Sequence, residues 1–153
     1  MDHNVSRIHE HDLRSVWENE ARDFTRWLTE HIDLLASELG IEIEDHGEEA
    51  VGDFSTDIVA REINTGETVV VENKYNRTDH DRLGKLVTYS SGKSAGFTMW
   101  LAEEFGPEHR SVLEWLNETG PKGGKFFAIR PRVVSIEGSE KRGFEFDVVE
   151  PSE

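Results

Sequence analysis

The stretch "TVVVENKYNRTDH", residues 68–80, begins as a strand and ends as something else. Val69, Val70 and Val71 have the β-branched profile of a strand buried on both faces, yet the run closes on Glu72, Asn73 and Lys74. Charges at the end of a buried strand need compensation, because removing them from water is costly. Upstream, Asp57 interrupts the apolar stretch "FSTDIVA", and Asn64-Thr65-Gly66 is a hairpin signature that folds this segment back onto residues 68–74. Counting outward from that turn, Asp57 and Glu72 fall at comparable distances on adjacent strands. Glu72 and Lys74 are two residues apart and so project to one face of the sheet. Two carboxylates and an ammonium thus converge at one strand end. From charge pattern alone two readings stay open: an ion pair of Lys74 with Asp57 or Glu72 at the sheet edge, or a site where carboxylate oxygens hold a hard divalent cation.

Outward from this stretch the chain alternates between helical and strand patterns. From Ser15 to Leu39 the apolar residues Trp17, Ala21, Phe24, Leu28, Ile32, Leu35 and Leu39 keep a three-four spacing, with Gly40 as the stop. This predicts one long helix, or two divided near Thr25. "IEIEDH" alternates as a strand, "HGEEAVGD" reads as a loop, and the two hairpin strands follow. Asp79 to Ser91 is helical, with Leu83, Leu86, Val87 and Ser90 on one side; "GFTMWLAEEF" is a buried strand; Pro107 opens a helix to Asn117; and two strands close the chain. Three meandering strands followed by helical crossovers predict an α/β fold, a mixed central sheet flanked by helices. Residues 1–12 are expected to be a flexible tail, with His3, His9 and His11 solvated, and 13–150 a single domain. The four tryptophans Trp17, Trp27, Trp100 and Trp115 sit in apolar patterns and are expected in or near the core.

Composition narrows the function classes. The 153 residues contain no cysteine, so disulfides and thiolate metal sites are excluded. No apolar run reaches the roughly 18 residues of a membrane span, and "MDHNVSRIHEHDLRS" lacks the apolar stretch of a signal peptide, which predicts a cytoplasmic protein. "SSGKSAG" lacks the upstream glycine spacing of a P-loop, which argues against nucleotide-dependent chemistry. The net charge is −15, but residues 1–67 hold 18 acids against 5 arginines whereas residues 68–153 hold 14 acids against 12 bases. Between 119 and 142 stand Lys122, Lys125, Arg130, Arg132, Lys141 and Arg142 with only Glu137 and Glu140, a segment suited to face a polyanion. An acidic surface with only 6 lysines fits a salt-loving source.

Taken in order, "GDFSTDIVA", a hairpin and "VVVENK" resemble the signature of the PD-(D/E)xK nuclease superfamily. In this resemblance Asp57 is the first acid, Glu72 the second and Lys74 the lysine. The stretches "WENEARDFTRWL", "ENKYNRTDHDRLGKLVTYSSG" and "EHRSVLEWLN" extend it, from about Leu13 to Val149, to an uncharacterised prokaryotic family of that superfamily. The resemblance implies a restriction-endonuclease-like fold, an αβββαβ core plus a C-terminal helix and strands.

It also implies a chemistry. Asp57 and Glu72 would hold Mg2+, or Mn2+ in its place, and Glu20 of "ENEARDF" would add the acid that superfamily members often supply from the first helix. Independently, Glu20 lies three residues after Trp17 and four before Phe24, on the inward stripe if that stretch is helical. Relatives of RecB-type nucleases carry Gln-x-x-x-Tyr in the helix after the motif; here Lys85 replaces the Gln and Tyr89 is retained, a substrate-facing pair by resemblance. Arg77, Arg82, Lys85, Arg130 and Arg132 would position a nucleic-acid backbone. His80 reads as a residue of the helix-capping stretch. The expectation is a metal-dependent nuclease acting on DNA, alone, as a homodimer or within a larger nuclease complex. The alternatives are a catalytically inactive nuclease-fold module for nucleic-acid or protein binding, or a subunit that requires a partner.

Overall fold

The computed structural model describes residues 5–45, 50–51, 54–55, 57–120 and 125–151. His3, Gly52 and Lys122, used in the sequence reading, lie outside them. The strands are β1 (Ile8–His11), β2 (Ile43–Asp45), β3 (Ala50–Val51), β4 (Phe54–Ser55), β5 (Ile58–Glu62), β6 (Thr68–Arg77), β7 (Phe97–Glu104), β8 (Lys125–Ile136) and β9 (Arg142–Glu150). The helices are α1 (Arg26–Glu30), α2 (Ile32–Leu39), α3 (His80–Lys93) and α4 (Pro107–Thr119), with a 3-10 turn at Leu13–Ser15 and a π-helical turn, Glu20–Thr25, running into α1.

Seven strands form one mixed sheet in the order β1-β8-β7-β6-β5-β2, with β9 also paired to β8. β6, β7 and β8 are parallel, joined by α3 and α4 as crossovers, and the remaining pairs are antiparallel. β8 takes β7 along Lys125–Ile129 and then β1 along Val133–Ile136, while β9 pairs with it from Ala128 to Ser135. Because β9 overlaps both of the others, β7 and β1 share one edge of β8 and β9 has the other.

Alternation along β6 divides the core. Val69, Val71 and Tyr75 pack with Phe24, Leu28 and Leu35 under the N-terminal helical layer. Val70 packs on the opposite face with Leu86, Tyr89, Trp100 and Leu113, under α3 and α4. The β5–β6 hairpin forms as read, and a side chain fixes its turn: Glu62 Oε1 accepts the Asn64 and Thr65 N–H groups at 2.9 and 3.0 Å. Gly66 there has φ +76°, a left-handed conformation that glycine adopts at little cost. α2 ends at Gly40, also left-handed at φ +71°, as the sequence predicts.

Four expectations need correction. Within the expected tail, residues 8–11 are a sheet strand, and His11 Nε2 lies 2.7 Å from Ser135 Oγ. The expected helix, one or two divided near Thr25, is a π turn that gives way to α1 after Thr25, followed by α2 beyond a break at His31, and it begins only after Asn19, whose Oδ1 accepts the Arg22 N–H at 2.7 Å. The expected loop 46–53 contains the two-residue strand β3, which pairs with β4 at the start of the expected strand. Trp115 is 61% exposed, on the outer side of α4, while Trp100 is fully buried.

One buried polar contact ties the two layers. Asn73, with no exposed surface, donates from Nδ2 to Thr25 Oγ1 at 2.9 Å. Thr25→Ala leaves this donor without its acceptor and should cost about 1–3 kcal/mol in urea unfolding; a change under ~0.5 kcal/mol would show that Asn73 re-pairs without loss.

Candidate active site at the end of strand β6

The β5–β6 ladder pairs Ile58 with Val71, so its next step sets Asp57 opposite Glu72. Asp57 Oδ2 accepts the Asn73 N–H at 2.7 Å, binding the carboxylate to the motif strand. Burial pushes its pKa up from the ordinary 3.8 to about 6; the Asn73 hydrogen bond opposes this, the Glu20 charge adds to it, and Arg82 and Lys85 oppose it.

Glu20 enters from the first residue of the π turn. Its Oε2 accepts the Tyr75 N–H at 3.1 Å and its Oε1 meets Arg82 Nη1 at 3.0 Å. The same Nη1 lies 3.3 Å from Glu72 Oε1 and 2.6 Å from the Asn73 carbonyl oxygen. Arg82 is delivered by the first turn of α3, where Asp79 Oδ1 caps the helix by accepting the Arg82 N–H at 2.7 Å. Glu72 is 3% exposed at its side chain, whereas Glu20 and Arg82 keep 21% and 26%. The cluster is therefore sealed on the strand side and open on the helix side.

Lys74, half-buried, has Asp79 Oδ2 at 3.9 Å from Nζ. His80 turns away onto α4, its Nδ1 2.8 Å from Nε2 of buried His109, whose Nδ1 is 2.7 Å from Thr78 Oγ1. Burial lowers the His109 pKa, and neighbouring His80 lowers it further.

The residues expected to contact nucleic acid divide. Arg77 pairs with Glu104 at 3.1 Å, and Arg130 with Glu10 at 3.3 Å and Asp147 at 3.7 Å. Arg132 pairs with Glu10 and Glu145. These three arginines and Arg110 line a cleft of about 510 Å³ floored by Phe105, Pro131 and Val149. Lys85 is half-buried and acts on Asp57 through its charge. Tyr89 has no exposed surface: its ring fills the core beneath α3, so the substrate-facing role expected from the resemblance is corrected. Arg82, expected to lie on phosphate, is drawn inward by two carboxylates. Its role escapes sequence reading, since nothing in the spacing tells which way a long side chain three residues into a helix will reach.

Carboxylate and carbonyl oxygens are the donors that a hard divalent cation takes. In kind, Asp57, Glu72 and Glu20 fit such an ion, and Glu20 and Glu72 already approach one point. That point is held by Arg82, and among the described residues no three acidic or histidine side chains form a ready-made metal cluster.

No protein-family model matches the chain, and no curated protein sequence matches it. Solved structures do. The EndoMS–dsDNA2 complex superposes with a TM-score of 0.53 at 19% identity, over 74% of this chain and 45% of that one. EndoMS in its apo form gives a TM-score of 0.47 at 18% identity, over 67% and 43%. The chain thus spans less than half the length of EndoMS. The likeness is one of fold, a mixed sheet flanked by helices.

The Asp57 shift makes a signed prediction. The folded protein holds this proton more tightly than the unfolded chain, so the stability gained from protonation is complete below about pH 4 and is lost as pH rises through about 6. In metal-free buffer Asp57→Asn should raise Tm over wild type at about pH 8 and leave it unchanged near pH 4. Scanning calorimetry across this range checks it; a pH-independent difference would mean that Asp57 does not titrate there.

Proposed function

We propose that the protein is a metal-dependent nuclease that hydrolyses phosphodiester bonds of DNA. The observation that carries this reading is the convergence of Glu20, Asp57 and Glu72, from three separate elements, on the end of β6, with Lys74 on the same strand face as Glu72. The nuclease-like fold supports it, as does the crossing of residues that resemble the PD-(D/E)xK signature with this cluster. DNA as the substrate class takes its support from EndoMS, a fold relative whose structure holds double-stranded DNA.

In this reading Asp57, Glu72 and Glu20 hold Mg2+, with Mn2+ as a substitute, and the ion supplies Lewis-acid polarisation of the phosphoryl group and a more acidic water. Lys74 places a positive charge where negative charge develops and orients the attacking water. Asp79, its ion-pair partner, keeps the ammonium at the strand end. Asn73 contributes by its backbone: its N–H orients Asp57 and its carbonyl fixes Arg82.

A second reading, a binding module without turnover or a subunit completed by a partner or a second copy, is favoured by one observation: the arginines of the cleft are engaged with the chain's own carboxylates. Purified protein incubated with single-stranded, double-stranded and branched DNA in Mg2+ or Mn2+, at low and high salt, separates the two. Cleavage is expected, and Lys74→Ala should reduce it by about 100-fold or more while calorimetric Mn2+ binding persists. Wild-type protein that binds Mn2+ but cuts none of these substrates would favour the second reading. In the same titration Asp57→Ala should abolish Mn2+ binding and Glu72→Gln weaken it; undiminished binding in both would remove them as ligands.

A further inference from the structure

We propose that the Arg82 guanidinium is the resident counter-ion of the Glu20–Glu72 acid pair, and that a divalent cation enters the site by exchange with it. The inference rests on the metal-binding reading above and concerns how that site is kept without metal.

Three oxygens surround one nitrogen. Glu20 Oε1, Glu72 Oε1 and the Asn73 carbonyl stand 3.0, 3.3 and 2.6 Å from Arg82 Nη1. A guanidinium Nη carries two protons, so it cannot give each of the three a separate hydrogen bond. The surplus is of acceptor, and of the kind a hard cation uses, because an ion has no fixed number of directed protons. Charge counts the same way. Arg82 brings one positive charge to a group in which Glu20, Glu72 and Asp57 can carry three negative ones, and Lys85 acts on the same group from further along α3. A divalent ion in place of Arg82 brings one further positive charge to that group.

The arrangement also lets Arg82 leave. Its backbone is pinned by the Asp79 cap, while its side chain keeps 26% of its surface in solvent. The guanidinium has a route outward that does not cross the core, whereas Glu72, 3% exposed on the central strand, stays. Exchange thus moves the flexible partner and leaves the buried one in place. Freed from the acids, Arg82 becomes a cation beside the site, available to a phosphate.

Two measurements test this. The first is calorimetric titration of Mn2+ into wild type and Arg82→Gln at one ionic strength. The second follows the Arg82 Nε–Hε resonance of arginine-labelled wild type during titration with Mg2+. Exchange predicts that Arg82→Gln binds Mn2+ about tenfold or more tightly than wild type, and that the wild-type resonance shifts saturably with added Mg2+. Binding to Arg82→Gln where wild type shows none would also support it. If folded Arg82→Gln binds Mn2+ equally or more weakly, Arg82 orders the acids and exchange is wrong. A resonance unmoved at saturating Mg2+ overturns the exchange while leaving the metal reading intact, and decides the matter if the variant fails to fold. Failure of both proteins to bind either ion overturns both.

Discussion

One nitrogen, Nη1 of Arg82, holds together the three parts of the molecule that make the site. It reaches Glu20 from the N-terminal helical layer, Glu72 from the central strand, and the carbonyl of Asn73 on that strand, while its own backbone belongs to α3. Removing one member of such a buried set strands the others in a poorly solvating interior, a loss of typically 3–5 kcal/mol for a fully buried pair. The set is accordingly cooperative: Glu20 is held inward by Arg82 together with the Tyr75 N–H, and Glu72 could not be buried as an anion without compensation.

The period of β6 explains how the layers meet there. Odd positions Val69, Val71, Asn73 and Tyr75 face the N-terminal layer, where Asn73 finds Thr25; even positions Val70, Glu72 and Lys74 face α3, where Glu72 finds Arg82 and Lys74 finds Asp79. The strand is apolar on both faces from Val69 to Val71 and polar from Glu72 to Lys74, before Tyr75 returns to the core on the N-terminal side. The switch happens at one residue because the ladder to β5 ends there, at Ile58–Val71, and leaves the Asn73 N–H for Asp57. A buried strand cannot leave that donor unpaired, so the Asp57 carboxylate is as much a structural terminator of the hairpin as a chemical group.

This explains which features were legible in the sequence. The valine run and the Asn64-Thr65-Gly66 turn act locally, and the structure holds the strand and the hairpin that they predict. Glu20 is a candidate by the resemblance, and the spacing that independently turns it inward assumes one regular helix through Trp17 and Phe24. The helix in fact starts after Asn19 in a π turn, and Glu20 faces inward as its first residue. β1 is not legible in the sequence because "IHEH" is mostly exposed and polar, and only its pairing with β8 makes it a strand. Tyr89 and Trp115 depart from expectation in opposite directions: α3 turns its tyrosine to the sheet and α4 its tryptophan to water, and the apolar character of each residue fits either surface.

Charge shows the same limit of a one-dimensional reading. Residues 119–142 look basic in sequence, but in the sheet Arg130 and Arg132 lie between Glu10 of β1 on one edge of β8 and Asp147 and Glu145 of β9 on the other. They act as cross-strand staples, with partners drawn from both ends of the chain. Arg77 and Arg110 are likewise matched, by Glu104 and Glu150. Polyanion binding gains much of its free energy by releasing small counter-ions condensed on the nucleic acid when protein cations replace them. Where those cations already carry carboxylates, each contact must first break an internal pair, and the carboxylate left behind repels the phosphate. Under the proposed function, a chain of net charge −15 arranged in this way would meet a nucleic-acid backbone through the few cations whose partners can be exchanged, and in this fold Arg82 stands beside the acids of β6.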